Sequence, residues 1–452
     1  MKKIIGVTIG PIIETISESR KIFEIANGSL FFSNIIYEFL NEVDKRKIDY
    51  NIITPSFKVT EKKEERFYPD RVVIECISLK EEKTILEEME SIYNGILEKE
   101  KLRDLEDYIN FNIIVAQMEE NQVKDIFKKL DGAELIKNFP ISYRDGVINK
   151  KIASYFENKK SLNLMKFNID YSISSVEKEK SYDSQEGYRA VIALDIDNMG
   201  QFSQNSIGEI KDISKAIYEY IESLNKFFKS KKENDKEEGM VLYSAGDDIL
   251  AVLNPKYVFE FIEVACRTLN EKFKNFKNDK LSVSIGVFIC YAKYPIKEAI
   301  NQANRMLFEK AKENKNSVAL LFQKHSGQSF EIVINNLLKK GRVFNEDNKI
   351  FNKLKEDVRE ILLEQKERKL LNTIIQKVSL NTFIFKEIIE DDKRIECFLK
   401  TLFESNKEEE NILNDLYELL SLVGKNKENT FEYNLEQVLS FFKILKFYTG
   451  RE

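Results

Sequence analysis

Between Gly187 and Phe330, apolar runs of strand length and runs of helical spacing alternate in an order that few folds satisfy. "YRAVIALDI" has strand character, and "IGEIKDISKAIYEYIESLNKFFKS" carries its apolar residues at helical spacing. "GMVLYS" and "ILAVLN" are two strands joined at "AGDD", where Gly and Asp signal a tight hairpin. A helix from Lys256 to Phe276, the strand "LSVSIGVFICY", the helix "IKEAINQANRMLFEKAKE" and the strand "SVALLFQ" complete the series. This β-α-β-β-α-β order is the split βαβ plan with a helix and a strand added, and it predicts a ferredoxin-like domain over residues 187–330.

The first 150 residues repeat the outline. "KIIGVTI", "DYNIITP", "RVVIECISL" and "NFNIIVAQM" are strand candidates, and Ile22, Phe23, Ile25, Ala26, Leu30 and Phe31 mark a helix between the first two. A second ferredoxin-like domain is expected there, over residues 1–150. Residues 151–186, with "ENKKSLN" and "SVEKEKSYDSQEG", are polar and weakly periodic and read as a connecting segment. Residues 331–452 read as entirely helical, with stripes at Ile350, Leu354, Val358, Ile361 and Leu362, at Ile412, Leu413, Leu416, Leu419 and Leu420, and at Leu435, Val438, Leu439, Phe442 and Leu445. Such stripes are core positions rather than ligand sites. The expected class is α/β (α+β), two ferredoxin-like domains followed by an all-helical C-terminal domain, a division that 452 residues accommodate.

The rarest residues exclude the most chemistry. A single histidine rules out His-rich zinc or iron sites and leaves any Ser-His-Asp or Cys-His arrangement resting on His325, whose place in "QKHSGQS" is that of a loop residue without a catalytic role. Cys76, Cys266, Cys290 and Cys397 stand far apart, so no zinc module and no disulfide framework is expected, and a reducing cytoplasm is the expected compartment. The opening "MKKIIGVTIGPII" is followed by Glu14 and Glu18 with no small-residue cleavage site, and reads as a first strand rather than a signal peptide. No apolar stretch approaches the roughly 18 to 20 residues of a membrane helix, so no membrane partner is expected. With 71 basic against 76 acidic side chains, the net charge of −5 does not mark a chain that grips nucleic acid through its own field.

Two acidic clusters end strands: "ALDIDNMG" with Asp195 and Asp197, and "YSAGDDILAVL" with Asp247 and Asp248. In the split βαβ plan the first and third strands are antiparallel neighbours, which brings the two clusters together. Converging carboxylates repel unless a cation neutralises them, and hard oxygen ligands on a rigid edge suit Mg²⁺ or Mn²⁺. Two such ions bind a nucleoside triphosphate and stabilise a pyrophosphate leaving group, which is nucleotidyl-transfer chemistry. Gly246 permits positive φ and close substrate approach, the turn through Asn198, Met199 and Gly200 offers backbone N–H groups to phosphate, and Lys312 in "FEKAKENKNS" is a candidate phosphate counter-charge. Taken singly, strand-end aspartates are turn formers and a helix-end lysine is solvated. The conjunction of the three on one predicted edge favours a site.

At these residues the chain resembles the large palm-domain subunit of type III CRISPR effector complexes, most closely its Cmr-type (III-B) form. "YSAGDDILAVL" is similar to that family's Gly-Gly-Asp-Asp hairpin, "LDIDNMGQF" to its first metal strand, "VSIGVFI" to its Ser-Ile-Gly strand, and "AINQANRMLFEKAKENKNSVALLFQKHSG" to the closing helix and strand. "VTIGPIIETISESRKIFEIANGSLFFSNII" is similar to the start of its first palm. The likeness covers about the first 60 residues and Tyr188 to Gly327. It implies that Asp195 and Asp248 hold two Mg²⁺ or Mn²⁺ ions, with Asp247 assisting and the Ile196 carbonyl completing the shell, and that Asn198, Met199, Gly200, Ser244, Ala245, Gly246 and Lys312 line an ATP site. The implied activity is nucleotidyl transfer of the oligoadenylate-cyclase kind within an RNA-guided antiviral ribonucleoprotein. The product would be a second messenger, cyclic oligoadenylate or an AMP conjugate such as that with S-adenosylmethionine. The implied partners are the small helical subunit, the backbone subunits, and guide and target RNA reached largely through them.

Three departures qualify the resemblance. Many relatives begin with a His-Asp nuclease domain for single-stranded DNA; this chain starts at the first palm with only His325, and no such activity is expected. The four-cysteine zinc module between the palms has no paired cysteines here, so no zinc is expected. Ala245 stands where the first hairpin glycine is usual and adds a methyl to the turn. Two other readings use the same features: an inactive scaffold of the same complex, which the intact acids disfavour, and a stand-alone cyclic-dinucleotide synthase, which needs neither the first domain nor the helical tail.

Overall fold

Two sheets organise the chain in a computed structural model that describes residues 3–17, 19, 21–56, 68–117, 123–134, 147–159, 187–200, 206–233, 236–276, 281–339, 344–364, 370–403, 410–425 and 430–449. The first contains β1 (Lys3–Gly10), β2 (Tyr50–Thr54), β3 (Arg71–Cys76) and β4 (Asn110–Gln117) in the order β2-β3-β1-β4. All its neighbours are antiparallel, the ferredoxin-like arrangement expected from the sequence. Its long helix Ile22–Asp44 is buried on nearly every side, Phe31, Phe32, Ile36 and Phe39 among the fully buried residues. A helix apolar all round needs cover on both faces, and here one face packs on its own domain and the other on the second sheet, where Met240, Leu242 and Phe288 join the same core.

The second sheet is built from β5 (Tyr188–Asp197), β8 (Gly239–Ala245), β9 (Asp248–Leu253), β10 (Ser282–Tyr291), β11 (Ser317–Gln323) and β12 (Ser329–Asn335), with β6 (Lys232–Glu233) and β7 (Lys236–Glu237) forming a separate small hairpin. Its order is β12-β11-β10-β5-β9-β8. The four strands β10-β5-β9-β8 repeat the ferredoxin-like order, extended by β11 parallel to β10 and by β12 antiparallel to β11. Along β5 the side chains alternate, Ile192, Leu194 and Ile196 entering the core on one face and Val191 and Ala193 that on the other.

The strand β12 corrects the expectation that the chain is entirely helical from residue 331. Phe330, Ile332 and Ile334 are buried while Glu331 and Val333 are half-buried, the two-residue period of an edge strand, and described helix resumes only at Lys349. Within the expected connecting segment, residues to 159 belong to the helix Val147–Lys159, whose Tyr155 packs edge-on against Phe31 with ring centroids 5.3 Å apart. Residues 160–186 lie outside the described residues.

The C-terminal helices Lys349–Glu364, Leu370–Leu380, Thr382–Ile388, Asp392–Leu402, Glu410–Lys425 and Phe431–Tyr448 share one core with the second sheet. The last one locks on: Phe447 meets Tyr188 edge-on at 4.9 Å, and the Tyr448 hydroxyl donates to the Pro255 carbonyl at 2.8 Å. Among the described residues no helix is long and apolar enough to cross a membrane.

Candidate active site

Strand register brings the acids together. The β5–β9 pairing runs to Leu194 opposite Ile249, so the next residue of β5, Asp195, lies beside Asp248, the first residue of β9. Asp248 in turn pairs with Ala245 across the β8–β9 turn, leaving Gly246 and Asp247 as the two turn residues. Gly246 has φ +68°, a left-handed conformation that side chains with a Cβ disfavour, and the space beside it is open.

Asp247 and Asp248 lie in an open notch, reachable by solvent yet walled by protein. Desolvation there, followed by the charge of Asp195, pushes the Asp247 carboxyl up to about 6, against the opposing pull of Lys312 and Arg71. Desolvation, a hydrogen bond with Asp195 and the charge of Asp247 push Asp248 up to about 8. The protein has concentrated more negative charge than its own cations neutralise. Arg71 is the first domain's contribution to this field; it stands at the start of β3 and is itself paired with Asp131 at 2.8 Å.

Lys312 reaches the cluster because of how the helix before it is seated. The helix Ile296–Arg305 crosses β10 at Gly286, where a Cβ would lie 2.8 Å from the Leu307 Cα and closer still to the Ala303 carbonyl oxygen and the Leu307 nitrogen. Immediately after this close approach comes a π-helical turn, Met306–Ala311. It delivers Lys312 with its Nζ 2.8 Å from Asp195 Oδ2 and 4.8 Å from the centre of the Phe308 ring.

Asp197 departs from the expectation that it joins the cluster. It is 2% exposed and accepts from Ser282 Oγ at 2.6 Å, Ser284 Oγ at 2.8 Å and the Asn316 backbone N–H at 3.0 Å. This carboxylate ties β5 to β10 and to the turn before β11, a structural role. After it the chain turns through Asn198, at φ +66°, whose side-chain oxygen accepts from Lys315 Nζ at 2.8 Å. Met199 leans on the core and Gly200 borders open space. Ile196 has its side chain in the core, its backbone lying between the two aspartates. Ser244 is buried next to the hairpin turn, and its Oγ has no hydrogen-bond partner among the described residues. His325 lies in an exposed turn with its ring edge-on to Tyr291. Cys76, Cys266 and Cys290 are buried free thiols and Cys397 an exposed one.

Among the described residues, no three acidic, cysteine or histidine side chains already stand at the spacing of a metal shell. Lys312 is the cation that contacts Asp195. The donor set nonetheless fits a hard divalent ion: three carboxylates, two of them pushed up by desolvation and by their neighbours' charge, which a divalent cation would relieve.

Sequence reasoning missed Arg71, Phe308 and Lys315. The missed signal for Asp197 was the polar pair Ser282 and Ser284 on an otherwise apolar strand.

Residues 188–319 match the family described as Cas10/Cmr2, second palm domain. A curated relative, the CRISPR system Cmr subunit Cmr2 of Pyrococcus furiosus, is 30% identical over 170 residues, which are 32% of this chain and only 19% of that protein. Among solved structures, a Csm1–Csm4 cassette in complex with AMPPNP superimposes with a TM-score of 0.55 at 13% identity, covering 100% of this chain and 70% of that one. A type III-B Cmr-beta complex in its apo state gives a TM-score of 0.56 at 10% identity, over 89% of this chain and 77% of that one. Residues 188–319 are therefore similar to the second palm domain of the Cas10/Cmr2 family, and the chain as a whole shares its fold with type III CRISPR subunits.

Proposed function

We propose that the second palm transfers nucleotidyl groups from ATP, as part of an RNA-guided type III CRISPR complex that makes a nucleotide second messenger when target RNA binds. The observation that carries this reading is the acidic notch: Asp195 and Asp248 in contact across adjacent strands, Asp247 in the turn, and Lys312 2.8 Å from Asp195. Related cassettes of the same fold have been solved with one ATP, with pppApApA, with cA3 and with cA4. These support a product of the cyclic oligoadenylate kind, with an AMP conjugate such as that of S-adenosylmethionine as the other product class. The other type III subunits, small helical and backbone, are the proposed partners, with guide and target RNA held largely through them; a net charge of −5 suits that division.

Asp195, Asp247, Asp248 and the Ile196 carbonyl are the groups that would hold two Mg²⁺ or Mn²⁺ ions. Such ions supply charge neutralisation for the triphosphate and acidify the attacking hydroxyl. The chain's own residues position the reactants. Lys312 turns from Asp195 to the phosphates, the backbone after Asn198 offers N–H groups, Gly246 leaves the turn open for close approach, and Ser244 and Ala245 contribute through the strand backbone that leads into it. Attack by a hydroxyl oxygen on the α-phosphorus then forms one P–O bond and breaks another, with pyrophosphate leaving.

The test is to assemble the complex with guide RNA, add target RNA, Mg²⁺ or Mn²⁺ and labelled ATP, and compare wild type with Asp247→Asn, Asp248→Asn. Loss of product in the double variant is expected. An unchanged product profile would show that the acids are not catalytic and would favour a scaffold role.

A further inference from the structure

Among the described residues of the second palm, Phe308 is the one large apolar side chain left well exposed, at 56%. The neighbouring Met306, Leu307 and Ala311 are buried against the sheet. A single exposed aromatic is ordinary by itself, and what sets this one apart is the neighbour it keeps. Its position is specific. The Lys312 ammonium that contacts Asp195 lies over the Phe308 ring, so one cation joins the acidic notch to an aromatic face. The other nearby cation on this turn, Lys310, is engaged elsewhere, with Glu331 of β12 at 2.9 Å.

We propose that Phe308 is a stacking platform for the base of a nucleotide whose phosphates are held at Lys312. This rests on the nucleotide-site reading above and deepens it by assigning the base. A nucleoside triphosphate has the two chemistries that the pair presents, an anionic tail for the ammonium and a flat π-surface for the phenyl ring. Phe308 within the π-helical turn and Lys312 directly after it meet on one side, and such turns recur at functional sites. Phe308 carries no hydrogen-bonding group, so it contributes affinity and base orientation rather than discrimination between adenine and guanine. It is a binding and positioning residue, and it leaves the chemistry to the acids.

The chain contains no tryptophan, which makes the test direct. In the full chain, Phe308→Trp introduces a single reporter, and titration with Mg²⁺ and α,β-methylene-ATP, in which the bond to be broken is blocked, reads stacking as saturable quenching. Inorganic tripolyphosphate in place of the nucleotide is expected to leave the emission nearly unchanged. By calorimetry, Phe308→Ala weakens α,β-methylene-ATP roughly 5- to 150-fold, the range carried by base–aromatic stacking, leaves tripolyphosphate within about twofold, and Phe308→Tyr restores nucleotide affinity. In the assembled complex the alanine variant raises KM for ATP with little change in kcat. Three results overturn the proposal: equal nucleotide affinity for wild type and Phe308→Ala, no quenching of the introduced tryptophan, or parallel losses for nucleotide and tripolyphosphate, which would place Phe308 as a support for Lys312 alone. If wild type binds no α,β-methylene-ATP, the nucleotide-site reading falls with it, an outcome distinct from the first.

Discussion

Gly286 is the point where the strand carrying Ser284 and the helix carrying Lys312 are pressed together, and Gly286→Ala tests whether that contact sets the site. The added Cβ would stand 2.8 Å from the Leu307 Cα and nearer to two other backbone atoms, whereas ordinary contact begins at 3.4 Å. The obstructing atoms belong to the helix backbone, so no side-chain rotation relieves them, and the helix must recede by roughly 1 Å in this close-packed interior. Overpacking of this kind costs about 1 to 3 kcal/mol, and backbone obstruction places the expected loss near the upper end. The recession also draws the Lys312 ammonium away from Asp195, now 2.8 Å distant. Urea denaturation followed by circular dichroism should show a lower midpoint, and hydrogen exchange should quicken in the segment 296–312. Product formation by the assembled complex should fall. Gly208 is the control: it lies in the first turn of the helix Ile207–Ser230 with open space around it, and Gly208→Ala should be neutral or stabilise by up to about 0.5 kcal/mol. If both variants unfold at the wild-type midpoint, the close approach at Gly286 does not constrain the helix and the reasoning fails.

Two further outcomes follow from the acids. Because folding raises Asp247 to about 6 and Asp248 to about 8, the folded chain free of divalent ions holds protons that the unfolded chain releases. That contribution is present below about pH 4 and is lost as pH rises through 6 and 8. Solvent access to the notch offsets much of the desolvation and repulsion, so Asp247→Asn, Asp248→Asn should gain only about 1 to 2 kcal/mol at pH 8 without divalent ions, and Mg²⁺ should stabilise wild type alone; a double variant no more stable than wild type in urea at pH 8 refutes the charge burden. Asp197→Ala removes the acceptor of three donors and should cost about 3 kcal/mol or more, while Asp195→Asn should abolish product with little loss of stability; matching denaturation midpoints for the two would contradict their assignment to separate roles.

The site and its scaffold were legible to different depths. The strand order of both domains followed from periodicity, because each strand and helix is long enough for its burial pattern to show. The hairpin was legible because Gly246 and Asp247 leave the chain few ways to turn. What periodicity could not reach was contact between distant segments. The stripes of the last helix mark its core positions in sequence and structure alike, yet that this core is continuous with β11 and β12 through Phe447 and Tyr448 depends on packing that no local window contains. The strand β12 escapes periodicity because an edge strand of seven residues lying before a long helical run gives only three buried positions to count.

Asp195 and Asp197 show the limit most clearly. They share a strand, a face and a residue type, and strand-end position alone assigns them one fate. Register separates them. Asp197 falls opposite Ser282, near enough to Ser284 for both hydroxyls to donate to it, and the left-handed turn at Lys315 and Asn316 adds a backbone donor. Asp195 falls opposite Ser284 on one side but beside Asp248 on the other, where its partners among the described residues are a second carboxyl and the Lys312 ammonium. A carboxylate whose charge is fully satisfied within the fold has no further capacity to bind a cation; one facing a second acid does. The difference between a structural aspartate and the proposed catalytic one in this chain is thus set by which side chains the neighbouring strands present. The pair Ser282 and Ser284 was the sequence's only statement of it.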